Sequence, residues 1–152
     1  MINTINAPNE KMQIIWDLGR RCTYACSYCA GYRSNSWSPI ASWEELLRTL
    51  HFIESYCDLY DFYRADNIRL KNTITFTGGE PTVNPRLFDL IDYGYEKLDN
   101  KFNFGLTTNA AFSNRRAQKI KNHGMFGTVS YHTEADRKTK DLVIENIFTL
   151  KD

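Results

Sequence analysis

No apolar run in these 152 residues approaches the length of a membrane span, which excludes a helical anchor within them. The opening stretch, MINTINAPNEKMQ, lacks the apolar core of a signal peptide. The expected compartment is therefore the cytoplasm, where thiols stay reduced. Excess charge is lacking too. Nineteen Lys and Arg against 18 Asp and Glu leave a formal net charge of +1. Nothing general draws such a chain to nucleic acid or to anionic lipid, and binding either would need a local patch. There is no internal repeat and no low-complexity tract. With 42% hydrophobic and 24% charged residues, the chain reads as one ordinary globular domain over 1–152. Cysteine is scarce at four, yet three of the four lie within CTYACSYC, Cys22 to Cys29. In a reducing compartment such a cluster points to metal or catalysis before disulfides.

The rest of the chain alternates two kinds of element. MQIIWDLG (Met12 to Gly19) is short, apolar and closed by Gly, and reads as a buried strand. A loop holding the cysteines follows. Ser42 and Glu45 fit a capping box that starts a helix, with Leu46, Leu50, Ile53, Cys57 and Tyr60 as its apolar stripe. TITFTGG (Thr73 to Gly79) is a second strand, and Asn84-Pro85 reads as the cap and first residue of a second helix. FNFGLTT (Phe102 to Thr108) is a third strand, and Ser113 to Gly124 brackets a third helix. MFGTVSY (Met125 to Tyr131) is a fourth strand, and Asp136 to Leu150 a last helix, with Leu142, Val143, Ile147 and Phe148 on one face. Strand followed by helix, four times, predicts an α/β fold with a parallel sheet and crossover helices. Chemistry in such sheets gathers at the carboxyl ends of the strands. The cysteines, Gly78-Gly79-Glu80, Thr108-Asn109 and Ser130 to His132 all fall there.

Cys22, Cys26 and Cys29 are spaced C-x3-C-x2-C, so one loop can turn three thiolates toward a single point. Thiolates suit zinc or iron–sulfur clusters. A structural zinc normally takes four protein ligands. The fourth is hard to find: Cys57 sits in a helical apolar stripe, and His51, His123 and His132 are scattered. Three ligands on a four-iron cluster would leave one iron open to a substrate or cofactor. Zinc with a distant histidine, and three incidental thiols, stand as alternatives at this point. In GGEP (Gly78 to Pro81) the two glycines permit close backbone approach to a ligand. Glu80 offers a carboxylate that could accept hydrogen bonds from an ammonium group.

Together these two motifs resemble the radical S-adenosylmethionine (radical SAM) superfamily. Its members carry a C-x3-C-x-aromatic-C loop after strand one, matched by Cys22, Cys26, Tyr28 and Cys29, and a GGE-type motif after strand two, matched by Gly78, Gly79 and Glu80. The resemblance implies a partial (β/α) barrel, of which about four βα units are present. It implies a 4Fe-4S cluster on the three cysteines and S-adenosylmethionine on the open iron. Reductive cleavage of that cofactor would yield a 5′-deoxyadenosyl radical that abstracts hydrogen from a substrate. By the family pattern Glu80 and the backbone of Gly78 and Gly79 hold the methionine amino group, and Tyr28 lies near the adenine. Thr108 and Asn109 sit where the family often has polar ligands, and Ser130 and His132 would meet the ribose or carboxylate. Arg20 and Arg21 flank the cluster loop, either to offset its charge or simply as solvated side chains. No residue is singled out as catalytic.

The family core usually has six units, so the chain reads as the N-terminal part of such a barrel or as a compact member. Its open side calls for a cover: a partner chain, a second copy or a missing C-terminal portion. An electron donor such as flavodoxin or ferredoxin is implied. The substrate is open, a peptide, a protein or a small molecule, and small activating enzymes that install a glycyl radical on a partner protein are one variant. The loops GYRSNSW (Gly31 to Trp37) and YDFYRADNIRL (Tyr60 to Leu70) are polar and aromatic enough to contact it. The rival from another class is a non-catalytic zinc or RNA-binding module, favoured by 14% aromatics and opposed by the near-neutral charge.

Overall fold

Alternation of side chains along each strand decides which face the helices cover. The computed structural model describes residues 12–29, 37–62 and 71–151. The readings at 31–36 and 63–70 lie outside the described residues. The elements are β1 (Gln13–Asp17), α1 (Trp43–Phe62), β2 (Asn72–Thr77), α2 (Leu87–Lys97), β3 (Phe102–Thr108), α3 (Asn114–Asn122), β4 (Phe126–Val129) and α4 (Arg137–Lys151). The four strands form one parallel sheet in the order β1-β2-β3-β4. With right-handed crossovers, that unbroken order places every helix on the same face. None of the described helices is long and apolar enough to cross a membrane.

The helix-covered face carries the core. Ile74 and Phe76 of β2 and Phe104 and Leu106 of β3 are buried against Leu46 and Leu50 of α1, Leu87, Leu90 and Ile91 of α2, Ala117 and Ile120 of α3, and Val143 of α4. Each such large side chain taken out of water contributes about 1.5–3 kcal/mol. The Phe76 and Phe104 rings stack at 5.8 Å, and Trp16 of β1 tilts against Phe76 at 5.6 Å. Gly94 of α2 lets that helix lie on Phe104, because a Cβ there would stand 2.5 Å from the ring.

The other face alternates to polar residues, Thr75 and Thr77 on β2 and Asn103 and Thr107 on β3, with Gly105 between them under the Phe126 ring. β1 is an edge strand and only half buried, with Ile15 75% exposed. The expectation of a buried first strand is thus corrected, since helices cover one face only. The uncovered face leaves the strand ends accessible.

Local signals set most boundaries. Ser42 and Glu45 form the reciprocal capping box: the Glu45 carboxylate accepts the Ser42 N–H at 2.7 Å, and the Ser42 hydroxyl accepts the Glu45 N–H at 3.2 Å. The Asp136 carboxylate accepts both the N–H and the hydroxyl of Thr139 at the head of α4. Gly124, at φ +60°, ends the turn after α3. Two expectations shift. Residues Pro81–Val83 form a short 3-10 turn, so α2 begins at Leu87 and the Asn84 side chain instead accepts the Arg86 N–H at 2.9 Å. Phe148 is 61% exposed, and the buried face of α4 is Val143 with Asn146.

Candidate functional site

The chain leaving β1 and the chain leaving β2 continue side by side past the sheet. Leu18 N–H donates to the Thr77 carbonyl at 2.9 Å, Gly79 N–H to Gly19 at 2.8 Å, and Glu80 N–H to Arg21 at 2.7 Å. That contact explains the glycine pair. A Cβ on Gly78, whose φ is +136°, would stand 2.3 Å from the Gly19 carbonyl oxygen, and one on Gly79 would stand 2.3 Å from that of Arg21. The close approach these glycines permit is to the base of the cysteine loop, while their remaining surface faces the cavity beside it. Arg21 Nε donates to the Ser38 carbonyl at 2.6 Å, and Arg20 is exposed.

Cys22, Cys26 and Cys29 are free, partly exposed thiols on one wall of an open cavity of about 450 Å³. Its other walls come from the ends of β2, β3 and β4 through Gly78, Gly79, Asn109, Ser130 and His132. Burial pushes the Cys22 thiol above its ordinary range, opposed by the Tyr24 N–H, which donates to Cys22 Sγ at 3.3 Å. Cys26 Sγ lies 3.3 Å from His132 Nδ1. Among the described residues no three His, Cys, Asp or Glu side chains converge on a single metal ion. A four-iron cluster makes no such demand, because each thiolate binds a different iron. Cys57 is elsewhere, buried in α1 beside Met12, and burial pushes its thiol up to about 11.

Glu80 sits differently from the sequence expectation. It is 2% exposed and does not line the cavity with the cysteines. Its Oε1 accepts the N–H and the hydroxyl of Thr82 (3.1 and 2.7 Å) and the Thr108 hydroxyl (2.7 Å). Its Oε2 accepts the Asn109 N–H at 2.8 Å. A carboxylate with four donors at bonding distance is well satisfied in the interior. It ties the end of β2 to the end of β3.

Thr108 is likewise buried and used, its oxygen also accepting the Ala110 N–H at 3.0 Å. Asn109 turns toward the cysteine loop: its Nδ2 donates to Thr23 Oγ1 at 3.0 Å and to Cys22 Sγ at 3.7 Å. Ala110 follows at φ +54°, a left-handed conformation that costs a non-glycine residue about 1 kcal/mol or more. Asn146 of α4 holds that turn, donating from Nδ2 to the Ala110 and Phe112 carbonyls at 2.8 and 2.7 Å. β4 ends at Val129, two residues before the expected Tyr131, although Ser130 N–H still donates to the Thr108 carbonyl at 2.8 Å. The Tyr28 ring stacks on His132 at 5.9 Å, and its hydroxyl meets His132 Nδ1.

Two positions that hold the loops around the cavity escaped the sequence reading. Asn146 left one signal, a polar residue within the apolar stripe of α4. Glu134 left none: it accepts the Ser27 N–H at 2.8 Å and the Ser27 hydroxyl, across 107 residues of sequence. Those bonds hold the Glu134 carboxyl below its usual range.

Comparison with known proteins finds relatives and a family. GTP 3′,8-cyclase of Aliarcobacter butzleri (strain RM4018) is 32% identical over 107 residues, covering 69% of this chain and 29% of the relative. GTP 3′,8-cyclase of Sulfurovum sp. (strain NBC37-1) is 31% identical over 105 residues, with the same two shares. The matched segment is thus less than a third of the length of these relatives. The family profile of the radical SAM superfamily matches residues 16–145, from near the end of β1 into the second half of α4. With its cysteine loop, its glycine pair and most of its four βα units inside that match, the chain belongs to the radical SAM superfamily, a superfamily of enzymes.

Proposed function

We propose that Cys22, Cys26 and Cys29 hold a 4Fe-4S cluster, and that the cavity beside them takes S-adenosylmethionine. The observation that carries this is the meeting of three partly exposed thiols, on the loop after β1, with the ends of β2, β3 and β4 around one cavity of about 450 Å³. Three soft ligands from a single loop fit an iron–sulfur cluster, and the volume lies in the range of small-molecule sites. When bound, the two groups supply a 5′-deoxyadenosyl radical for hydrogen abstraction.

The chain's own residues orient and enclose them. Gly78 and Gly79 present backbone to the cavity without side chains, which suits the amino and carboxylate ends of a methionine. Ser130 and His132 face the cavity from the β4 side, toward the ribose or carboxylate, and Tyr28 stands at its rim for the adenine. Glu80 acts through Thr108 and Asn109 rather than on the cofactor. Among the described residues lining the cavity none is Lys or Arg, so the lining suits a zwitterion better than a polyphosphate.

The relatives' name specifies GTP, and a nucleotide is one candidate substrate for the whole protein, with its phosphates held outside this cavity. The chain then forms the first four units of a six-unit barrel whose open side is covered by further polypeptide. A low-potential donor such as flavodoxin or ferredoxin delivers the electron.

Electron paramagnetic resonance on anaerobically reconstituted, reduced protein, with and without S-adenosylmethionine, tests this. A reduced-cluster signal that changes with the cofactor is expected, with iron lost from the Cys22→Ala, Cys26→Ala and Cys29→Ala variants. Zinc in place of iron, or a cluster signal indifferent to the cofactor, overturns it.

A further inference from the structure

Every polar atom of the Asn109 side chain is committed, and one commitment is to a sulfur. Oδ1 accepts the Ala111 N–H at 2.9 Å, which fixes the amide so that Nδ2 faces the cysteine loop. One Nδ2 hydrogen goes to Thr23 Oγ1 at 3.0 Å and the other to Cys22 Sγ at 3.7 Å, a long but ordinary N–H···S separation. The backbone is held as firmly: Asn109 N–H donates to Glu80 Oε2, Ala110 is locked in its left-handed turn by Thr108 and Asn146, and Asn109 is 4% exposed. The amide is therefore presented to Cys22 by a rigid, largely buried support. The reach spans 87 residues of sequence, from the end of β3 to the loop after β1.

Given Cys22 as a cluster ligand, as proposed above, we infer that Asn109 tunes the cluster's reduction potential by donating a hydrogen bond to the Cys22 thiolate. Adding one electron raises the negative charge shared by the iron and its sulfurs. A neutral N–H dipole aimed at one of those sulfurs stabilises the reduced form more than the oxidised form, and so raises the potential. Asn109 is itself buried, so the donor stays aimed at the sulfur although Cys22 is partly open to the cavity. The Tyr24 N–H acts on the same sulfur from within the loop, but it is backbone, and only a proline there, which would also restrain the loop, removes it. Asn109 is the adjustable donor.

The test is a dithionite titration of the reconstituted full chain, following the reduced-cluster resonance in the parent, Asn109→Ser and Asn109→Asp. Serine keeps a short acceptor for the Ala111 N–H, is neutral and cannot reach Cys22. Aspartate keeps the acceptor and replaces the N–H with a negative oxygen. The midpoint is expected to move to more negative potential in Asn109→Ser and further in Asn109→Asp, at parental iron content. A purely structural role would change iron content or stability and leave the potential of the loaded protein alone. Unchanged midpoints in both loaded variants overturn the inference. A second measurement needs no variant: with 15N-asparagine in the parent, pulsed resonance on the reduced cluster should show a nitrogen coupling. Its absence also overturns the inference. A parent that binds no iron defeats the cluster assignment itself, and this is seen before any titration begins.

Discussion

The Glu80 carboxylate accepts the Asn109 N–H at 2.8 Å, joining the end of β2 to the end of β3 in the interior. The same carboxylate takes three further hydrogen bonds from Thr82 and Thr108. Glu80→Gln puts an amide N–H against one or more of those donors. The expected loss of unfolding free energy is about 2 kcal/mol, from donors left without an acceptor. Glu80→Ala should cost more, since it leaves four donors facing a void. Chemical denaturation of the apo-protein reads this directly, and a change under about 0.5 kcal/mol for either variant would show the bracket to be dispensable.

Asn146 clamps the Ala110 and Phe112 carbonyls from α4. Asn146→Ala strands two buried acceptors and frees a turn held at positive φ. A destabilisation of about 2–3 kcal/mol is expected, together with faster amide exchange at residues 109–112. Parental exchange in that turn would mean that α4 does not hold it.

Cys57 should behave as core and not as a ligand. Its thiol is raised from 9.0 to about 11, so at a given pH near neutrality it has about 100-fold less thiolate than an unshifted cysteine, before any steric protection. In the apo-protein, iodoacetamide followed by mass spectrometry should label Cys26 and Cys29 well before Cys57. Cys57→Ala should keep its iron. Early labelling of Cys57 in the folded protein, or iron loss on its substitution, would contradict its placement.

Lys101, just ahead of β3, bridges to Glu54 (2.9 Å) and Asp58 (3.1 Å) of α1. Burial opposes ionisation of Glu54, but the Lys101 and His51 bonds outweigh it and hold the carboxyl below its ordinary pKa. A depressed carboxyl contributes stability that is present above its unfolded pKa and is lost as pH falls through the folded value. Lys101→Met should therefore cost about 0.5–1 kcal/mol at pH 7 and progressively less below pH 4, as the carboxylates protonate in both proteins. An equal deficit at pH 3 and pH 7 would assign the effect to packing of the lysine stem.

Much of the fold was legible because its causes are local. The capping box at Ser42 and Glu45, the strand at Phe102 to Thr108 and the glycine at 124 each depend on residues within a few positions of one another. Helix α2 starts at Leu87 rather than at the expected Asn84-Pro85, because the Glu80 side chain first captures the Thr82 N–H and Pro81–Val83 fold into a separate turn. The exposure of β1 is not legible in its residues, because an apolar run does not disclose that one sheet face lacks helices.

The sequence by itself determined the four βα units, the three thiols in one loop and the gathering of polar residues at the strand ends. Composition and periodicity fix these through short-range sterics, capping and apolar burial. Only the tertiary structure decided where those polar groups point. Glu80 turned inward to Thr108 and Asn109, Asn109 turned toward Cys22, and Glu134 reached Ser27, over separations of 28, 29, 87 and 107 residues. A buried donor or acceptor takes whichever partner the packed chain brings within about 3 Å, and that choice is made after the helices have docked on the sheet.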